Sequence, residues 1–404
     1  MNKFFRKPAY DYWNSPVIPY GELERRISFF KEQLSKMGVG CALITQNADR
    51  YYYTGTVQDG ILMIHADHQP VLFIKRTLSR AREESPIRKV LEMRRLDDIR
   101  GYMDDNNLIV DMIGITMDVV PAKLYMNIAS LFPGVSFVDI SKSVRMQRAV
   151  KSVHELALLR EGGVRFDRVL EKLKGYIRVG ISEYELYMVF IHLLLEEGSS
   201  LFVRTRAYNM EAEPKYILSG ESAWKMSAMD SPTASGDGIS RAFPGGAGRR
   251  EIRENEPLIV DAVFVYEGYM VDCTRVYAMG RLDNHFTKAH GVSMRCHEIF
   301  KKRAVPGTHI PGLYREIFEY VRNEGLEDVF MGGVRFIGHG VGLELDEFPV
   351  IAERFEGYLE RGMVVALEPK FVFKDGCVGL ENTYTIDGGD AKPLTLSPED
   401  IQYL

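Results

Sequence analysis

Between residues 20 and 38, Leu23, Ile27, Phe30, Leu34 and Met37 recur at helical spacing and Gly38 follows as a stop, a pattern that predicts an amphipathic helix. Short apolar runs bounded by turn-forming residues come next. CALITQ (41–46), GILMIHA (60–66) and PVLFIK (70–75) predict strands. A second cycle predicts a helix over 97–105, extended segments over 107–114 and 114–119, a helix over 121–131 and a strand over 135–140. Such alternation specifies an α/β domain, a mixed sheet flanked by helices. Around 141–152 the pattern turns basic and polar, and a long helical segment opens at Val153. This sets a domain boundary near residue 150, giving domains of 1–150 and 151–404.

The second domain opens with helices over 153–177 and 182–197 and holds two more over 284–303 and 312–324. Between them, LIVDAVFVY (258–266) and YMVDCTRVYAM (269–279) flank Glu267-Gly268, the signal of a β-hairpin. MVVALEP (363–369), KFVFK (370–374) and VGLENTYTI (378–386) supply further strands. This half reads as α+β with a curved antiparallel sheet, and no tandem repeat of solenoid or propeller period is present.

Composition narrows the function classes. The 404 residues are 46% hydrophobic and 26% charged, an ordinary globular balance. A net charge of -5, with no long basic run to track a phosphate backbone, excludes nucleic acid as an expected partner. Cys41, Cys273, Cys296 and Cys377 are widely spaced and form no CxxC pair, which suits a reducing cytoplasm. The start, MNKFFRKPAYDYW, has no apolar core of signal-peptide type. The most apolar stretch, Leu186 to Leu195, is about half the roughly 20 residues a bilayer needs. The expectation is a cytoplasmic protein without a membrane anchor.

The chemistry starts in the hairpin, where Asp261 and Asp272 occupy strand positions that are costly for an unpaired carboxylate. With Glu267-Gly268 as a two-residue turn, Asp261 falls opposite Thr274 and shares its face with Asp272 as a diagonal neighbour. Diagonal neighbours lie roughly 7 to 8 Å apart at the backbone, so both carboxylates can converge on metal ions. Three later segments add donors: His339 between Gly338 and Gly340, whose missing side chains leave space for a bound group; Glu368 after an apolar strand; and Glu381 interrupting another. One imidazole and four carboxylates suit Mn, Fe, Co or Zn, and suit two ions sharing a carboxylate and a water.

The order Asp, Asp, His, Glu, Glu, with eleven residues between the aspartates, resembles the family of prolidase, aminopeptidase P, methionine aminopeptidase and creatinase. The resemblance covers nearly the whole chain and implies a creatinase-like N-terminal domain followed by a pita-bread catalytic domain. It implies that Asp272 and Glu381 bridge two divalent ions, that Asp261 completes one site, and that His339 and Glu368 complete the other. It also implies that Glu368 positions or deprotonates the attacking water, that Thr274 orients a ligand, and that the chain forms a homodimer.

The departures from the family pattern concern groups that handle substrate. Gly245, in AFPGGAG, stands where the peptidases carry a histidine; Asp346, in ELDEFP, replaces a second one; Gly379 replaces an arginine ahead of the last glutamate. Three readings follow. The first is a dinuclear hydrolase resembling Xaa-Pro dipeptidase or aminopeptidase, acting on a short peptide or small amide, with Glu368 and Asp346 as catalytic residues. The second is a metal-dependent lyase similar to the dimethylsulfoniopropionate lyases of this fold, with Asp346 as base. The third is a non-catalytic binding protein. Arg204, Arg206, Arg241, Arg249 and Arg250 are candidates to hold a substrate carboxylate, and His290 and His297 are expected on a helix surface.

Overall fold

The computed structural model describes residues 17–210, 215–226 and 233–404, so the segment MNKFFRKPAYDYW lies outside the described residues. By contacts the described chain divides into two compact units. One is the described part of Trp13–Arg148 together with Arg206–Asn209; the other comprises the described parts of Ala149–Thr205 and Met210–Leu404.

The first unit opens with α1 (Tyr20–Lys36) and β1 (Cys41–Ile44), followed by α2 (Asn47–Thr54), β2 (Gly60–His65) and β3 (Val71–Ile74). It continues through α3 (Leu78–Glu84), β4 (Lys89–Glu92), α4 (Asp97–Asp105), β5 (Met112–Ile115), α5 (Ala122–Leu131) and β6 (Ser136–Asp139), and ends in α6 (Ser141–Ala149). Among the described residues the strands form one sheet in the order β4-β3-β2-β1-β5-β6. The β1–β2 and β2–β3 pairs are antiparallel and the β1–β5, β3–β4 and β5–β6 pairs parallel, the mixed sheet that the alternation predicts. Leu43, Met63, Phe73, Ile113 and Phe132 sit in its core. The segment 107–111 is not a strand: Asn107 has φ 54°, which turns the chain, and Ile109 is exposed. Arg206 is held inside this unit by paired bonds to Asp49 and Asp118, and Arg148 also binds Asp49.

The second unit begins with α7 (Val153–Leu173) and α8 (Glu183–Glu196), each opened by a capping box, Ser152 with Glu155 and Ser182 with Glu185. The strands are β7 (Lys215–Ser219), β8 (Pro257–Tyr266) and β9 (Tyr269–Ala278), then, after helices α9 (Asn284–Arg303) and α10 (Ile310–Asn323), β10 (Gly338–Gly340) and β11 (Glu347–Val350). β12 (Val364–Leu367), β13 (Lys370–Phe373), β14 (Gly376–Gly379), β15 (Asn382–Thr385), β16 (Lys392–Pro393) and β17 (Gln402–Tyr403) complete the list. They form sheets in the orders β17-β9-β8-β7 and β11-β10-β12-β15-β16, with β13–β14 as a separate pair. Glu267 and Gly268 both adopt positive φ, 50° and 82°, as a tight hairpin turn of primed type requires. The register they impose is the one read from the sequence, with Asp261 opposite Thr274.

Two expectations fail here. VGLENTYTI is not one strand: it breaks at Leu380-Glu381 into β14 and β15, which belong to different sheets. His290 and His297 share a face of α9, but that face is buried rather than exposed. The reason is the break itself. His297 Nε2 donates to Leu380 O at 2.9 Å and Nδ1 accepts from the Tyr384 hydroxyl at 2.9 Å, so the ring holds the corner from both sides. His290 bonds Glu399 O at 2.8 Å.

Two stability measurements test this packing. A Cβ on Gly162 would meet Tyr266 Cβ at an ordinary 3.5 Å, whereas one on Gly163 would lie 1.9 Å from Leu394 O. Gly162→Ala is therefore expected to be neutral or to stabilise by up to about 1 kcal/mol through helix propensity. Gly163→Ala should destabilise by about 1–3 kcal/mol despite the same gain, read from denaturant midpoints. Burial lowers the His297 pKa to about 3. Its folded value lies below the unfolded one, so its contribution is complete above the ordinary value near 6.5 and is lost as pH falls from there toward 3. Between pH 7 and pH 5 the wild type should lose about 2 kcal/mol that His297→Gln does not lose, a difference checked by denaturation at the two pH values.

Candidate metal centre

The hairpin supplies the floor of the site. Asp261 on β8 faces Thr274, and Asp272 on β9 faces Val263. Glu381, at the corner between β14 and β15, is tied to β9 by reciprocal backbone bonds with Thr274, both 3.3 Å. Thr274 Oγ1 also donates to Glu381 Oε2 at 2.7 Å, fixing the carboxylate as well as the chain. β12 lies between β10 and β15, which puts His339 opposite Ala366 and leaves Glu368 just past the strand end, its N–H bonded to Ile337 O at 2.9 Å. All five residues expected as ligands, Asp261, Asp272, His339, Glu368 and Glu381, thereby converge, and all are buried.

Gly338 and Gly340 do something other than leave room for a bound group. A Cβ at Gly338 would be 2.5 Å from Ala366 O and one at Gly340 2.1 Å from Phe348 O. The missing side chains let β10 wedge between β11 and β12, and the space is filled by their backbones.

His339 presents one ring nitrogen to the carboxylates. Its Nδ1 lies 3.1 Å from both Gly340 O and Leu345 O, and since carbonyls only accept, Nδ1 carries the hydrogen. Nε2 then points at Asp272 Oδ2 and Glu368 Oε1, 3.9 and 3.6 Å away, separations too long for hydrogen bonds. Burial opposes charge on this ring, but Asp346, Glu368 and Glu381 outweigh it and hold the pKa above the ordinary value. Burial also raises Asp272 well above the usual carboxylate range, with Glu381 and Asp261 adding to the effect. Glu381 is pushed up to about 7 by burial, with Lys370 pulling it back.

Donor atoms of Asp272, His339 and Glu381 lie within 4.8 Å of one another. Glu381 Oε1 is buried and, among the described residues, has no hydrogen-bond partner. The imidazole tautomer, the orphaned oxygen and the mixed oxygen–nitrogen donor set all fit one divalent transition metal or zinc.

The other half of the cluster holds a residue that the pattern reading passed over. Lys370, buried at the start of β13, reaches Asp261 Oδ2 at 2.7 Å, Glu368 Oε2 at 2.8 Å and Glu381 Oε2 at 3.1 Å. Those three carboxylates hold its pKa well above the usual lysine value against the opposing effect of burial. The signal available in sequence was a lysine two residues after Glu368 and eleven before Glu381, at the mouth of an apolar strand.

Of the remaining candidates, Asp346 Oδ1 lies 3.7 Å from His339 Nδ1, on the side of the ring away from the carboxylates. Arg206 and Arg250 are taken up by structural ion pairs, with Asp49 and Asp118 and with Glu256 respectively. Arg335 and Arg354, not singled out by pattern, line an open cleft of about 930 Å³ with Tyr314, Phe336 and Val350. Phe336 meets the His339 ring edge-on at 6.0 Å, so this cleft adjoins the cluster.

Comparison with known proteins agrees with this architecture. The family model for the Creatinase/Prolidase N-terminal domain matches residues 26–150 and that for Metallopeptidase family M24 matches residues 157–387. The Xaa-Pro dipeptidase of Pyrococcus furiosus is 23% identical over 383 residues, which cover 94% of this chain and 99% of the relative. The solved structure of the Xaa-Pro dipeptidase from Bacillus anthracis matches with a TM-score of 0.81 at 20% identity, covering 95% of this chain and 100% of that one. The prolidase from Pyrococcus horikoshii matches with a TM-score of 0.78 at 21% identity, covering 93% and 99%. With the M24 model spanning more than half of its length, the chain belongs to metallopeptidase family M24, a metallohydrolase with a creatinase-like N-terminal domain and a pita-bread catalytic domain.

Proposed function

We propose that this protein is a divalent-metal-dependent hydrolase of short peptides or small amides, similar in reaction to the Xaa-Pro dipeptidases it resembles. The observation that carries the reading is His339 Nε2, freed by its Nδ1 bonds and aimed at the buried carboxylates. The cleft beside Phe336 has the size of a small-molecule site, and its two arginines supply charge for a peptide carboxylate. Asp272, His339 and Glu381 would hold a Mn, Fe, Co or Zn ion; the two-ion state implied by the family resemblance additionally needs Asp261 and Glu368. A homodimer in the cytoplasm belongs to the same reading, supported by the resemblance and by four buried free cysteines. Among the described residues no helix is long and apolar enough to cross a membrane.

A bound divalent ion supplies acidification of water and polarisation of the substrate carbonyl. The chain's own residues do the rest. Glu368 is pinned through Oε2 by Lys370 while Oε1 faces His339, so one oxygen is left to take a proton from the attacking water and pass it to the leaving amine. Asp346 sits behind the imidazole, where its charge steadies the Nδ1–H form. That placement favours hydrolysis over the lyase reading, which needs Asp346 to face substrate.

Stripping metal with a chelator is expected to abolish cleavage of Xaa-Pro dipeptides, and added Mn, Co or Zn to restore it. Glu368→Gln should lower kcat by at least about 100-fold with KM little changed, as steady-state kinetics would show. Asp346→Asn should keep the protein folded and metal-loaded but cost about 10-fold in kcat. Sulfide release from dimethylsulfoniopropionate without peptide cleavage would overturn the hydrolase reading in favour of the lyase.

A further inference from the structure

We propose that the Lys370 ammonium takes the place of one of two metal ions, so that the chain binds a single divalent ion at Asp272, His339 and Glu381. The inference rests on the metallohydrolase reading and specifies its metal content.

An ammonium group has three N–H donors. Those of Lys370 are matched by three carboxylate oxygens, from Asp261, Glu368 and Glu381, at 2.7, 2.8 and 3.1 Å. Asp261 is the residue that would complete one of the two ion sites, and the lysine nitrogen occupies its reach. Glu381 divides its two oxygens accordingly. Oε2 accepts from Lys370 and Thr274, while Oε1 is buried and without a hydrogen-bond partner among the described residues, and a donor oxygen of Glu381 lies within 4.8 Å of Asp272 and His339. In the proposed arrangement Glu381 would bridge an ammonium and an ion instead of two ions.

A second ion would have to displace a lysine whose stem is itself buried.

The route of that stem supplies an independent argument. Lys370 pairs across β13–β14 with Gly379, the position where the family resemblance calls for an arginine. A Cβ on Gly379 would lie 2.7 Å from Lys370 Cα and 2.9 Å from its Cγ. The bare residue gives the lysine its passage, and the strand beside it carries the cation.

The test counts ions rather than turnover. Wild-type protein and the Lys370→Gly and Lys370→Ser variants are loaded with Mn²⁺, desalted, and measured for manganese per chain and by low-temperature electron paramagnetic resonance. The wild type is expected to hold one ion with the six-line spectrum of isolated Mn²⁺, and the variants two ions with an exchange-coupled spectrum. Two coupled ions in the wild type would overturn the inference and leave the hydrolase reading standing. One ion in all three proteins would show that Lys370 blocks nothing, and would overturn it too. No manganese in any of them would sink both. Two coupled ions in the wild type overturn the inference even if neither variant folds.

Discussion

Buried carboxylates do not share a dry cage without a cation, and the catalytic unit is arranged around that constraint. Asp261 and Asp272 come from one sheet, His339 and Glu368 from another, and Glu381 from the corner where the chain passes from β14 to β15. Repulsion among these groups would push the sheets apart; Lys370, inserted from the β13–β14 pair, ties all three strand systems to a single nitrogen. The centre is therefore a structural joint as much as a chemical one.

The joint needs its corner held in position. Thr274 grips Glu381 through both backbone and hydroxyl, and Arg275, itself buried, donates to Thr274 O and Glu381 O at 2.8 Å and to Asn382 Oδ1 at 2.8 Å. From the other side His297 fastens Leu380 and Tyr384. The corner is thus clamped by groups from β9 and α9, which leaves the Glu381 carboxylate little freedom to follow a substrate. The adjoining open cleft, by contrast, carries its two arginines exposed.

How much of this was legible in the chain depended on whether the signal was local. The hairpin register followed from two turn residues, and β1, β2, β3, β5 and β6 from period and punctuation, while β4 carried no such signal. The five donors stood out because carboxylates and a glycine-flanked imidazole are conspicuous in apolar strands. VGLENTYTI looked continuous because β-periodicity does not change when a chain steps from one sheet to the next. His290 and His297 looked like surface residues because their partners, Glu399, Leu380 and Tyr384, lie between 83 and 109 residues away. Lys370 was hidden for the same reason: one of its acceptors is 109 residues distant, and a lysine at a strand mouth normally marks solvent.

A metal ion must be captured from solution, whereas an ammonium on a four-carbon stem arrives with the chain. Lys370 neutralises part of the cage as soon as β13 docks, at an effective concentration no free ion matches. On the single-ion proposal, assembly of the catalytic unit depends on half of the metal supply that the family resemblance implies.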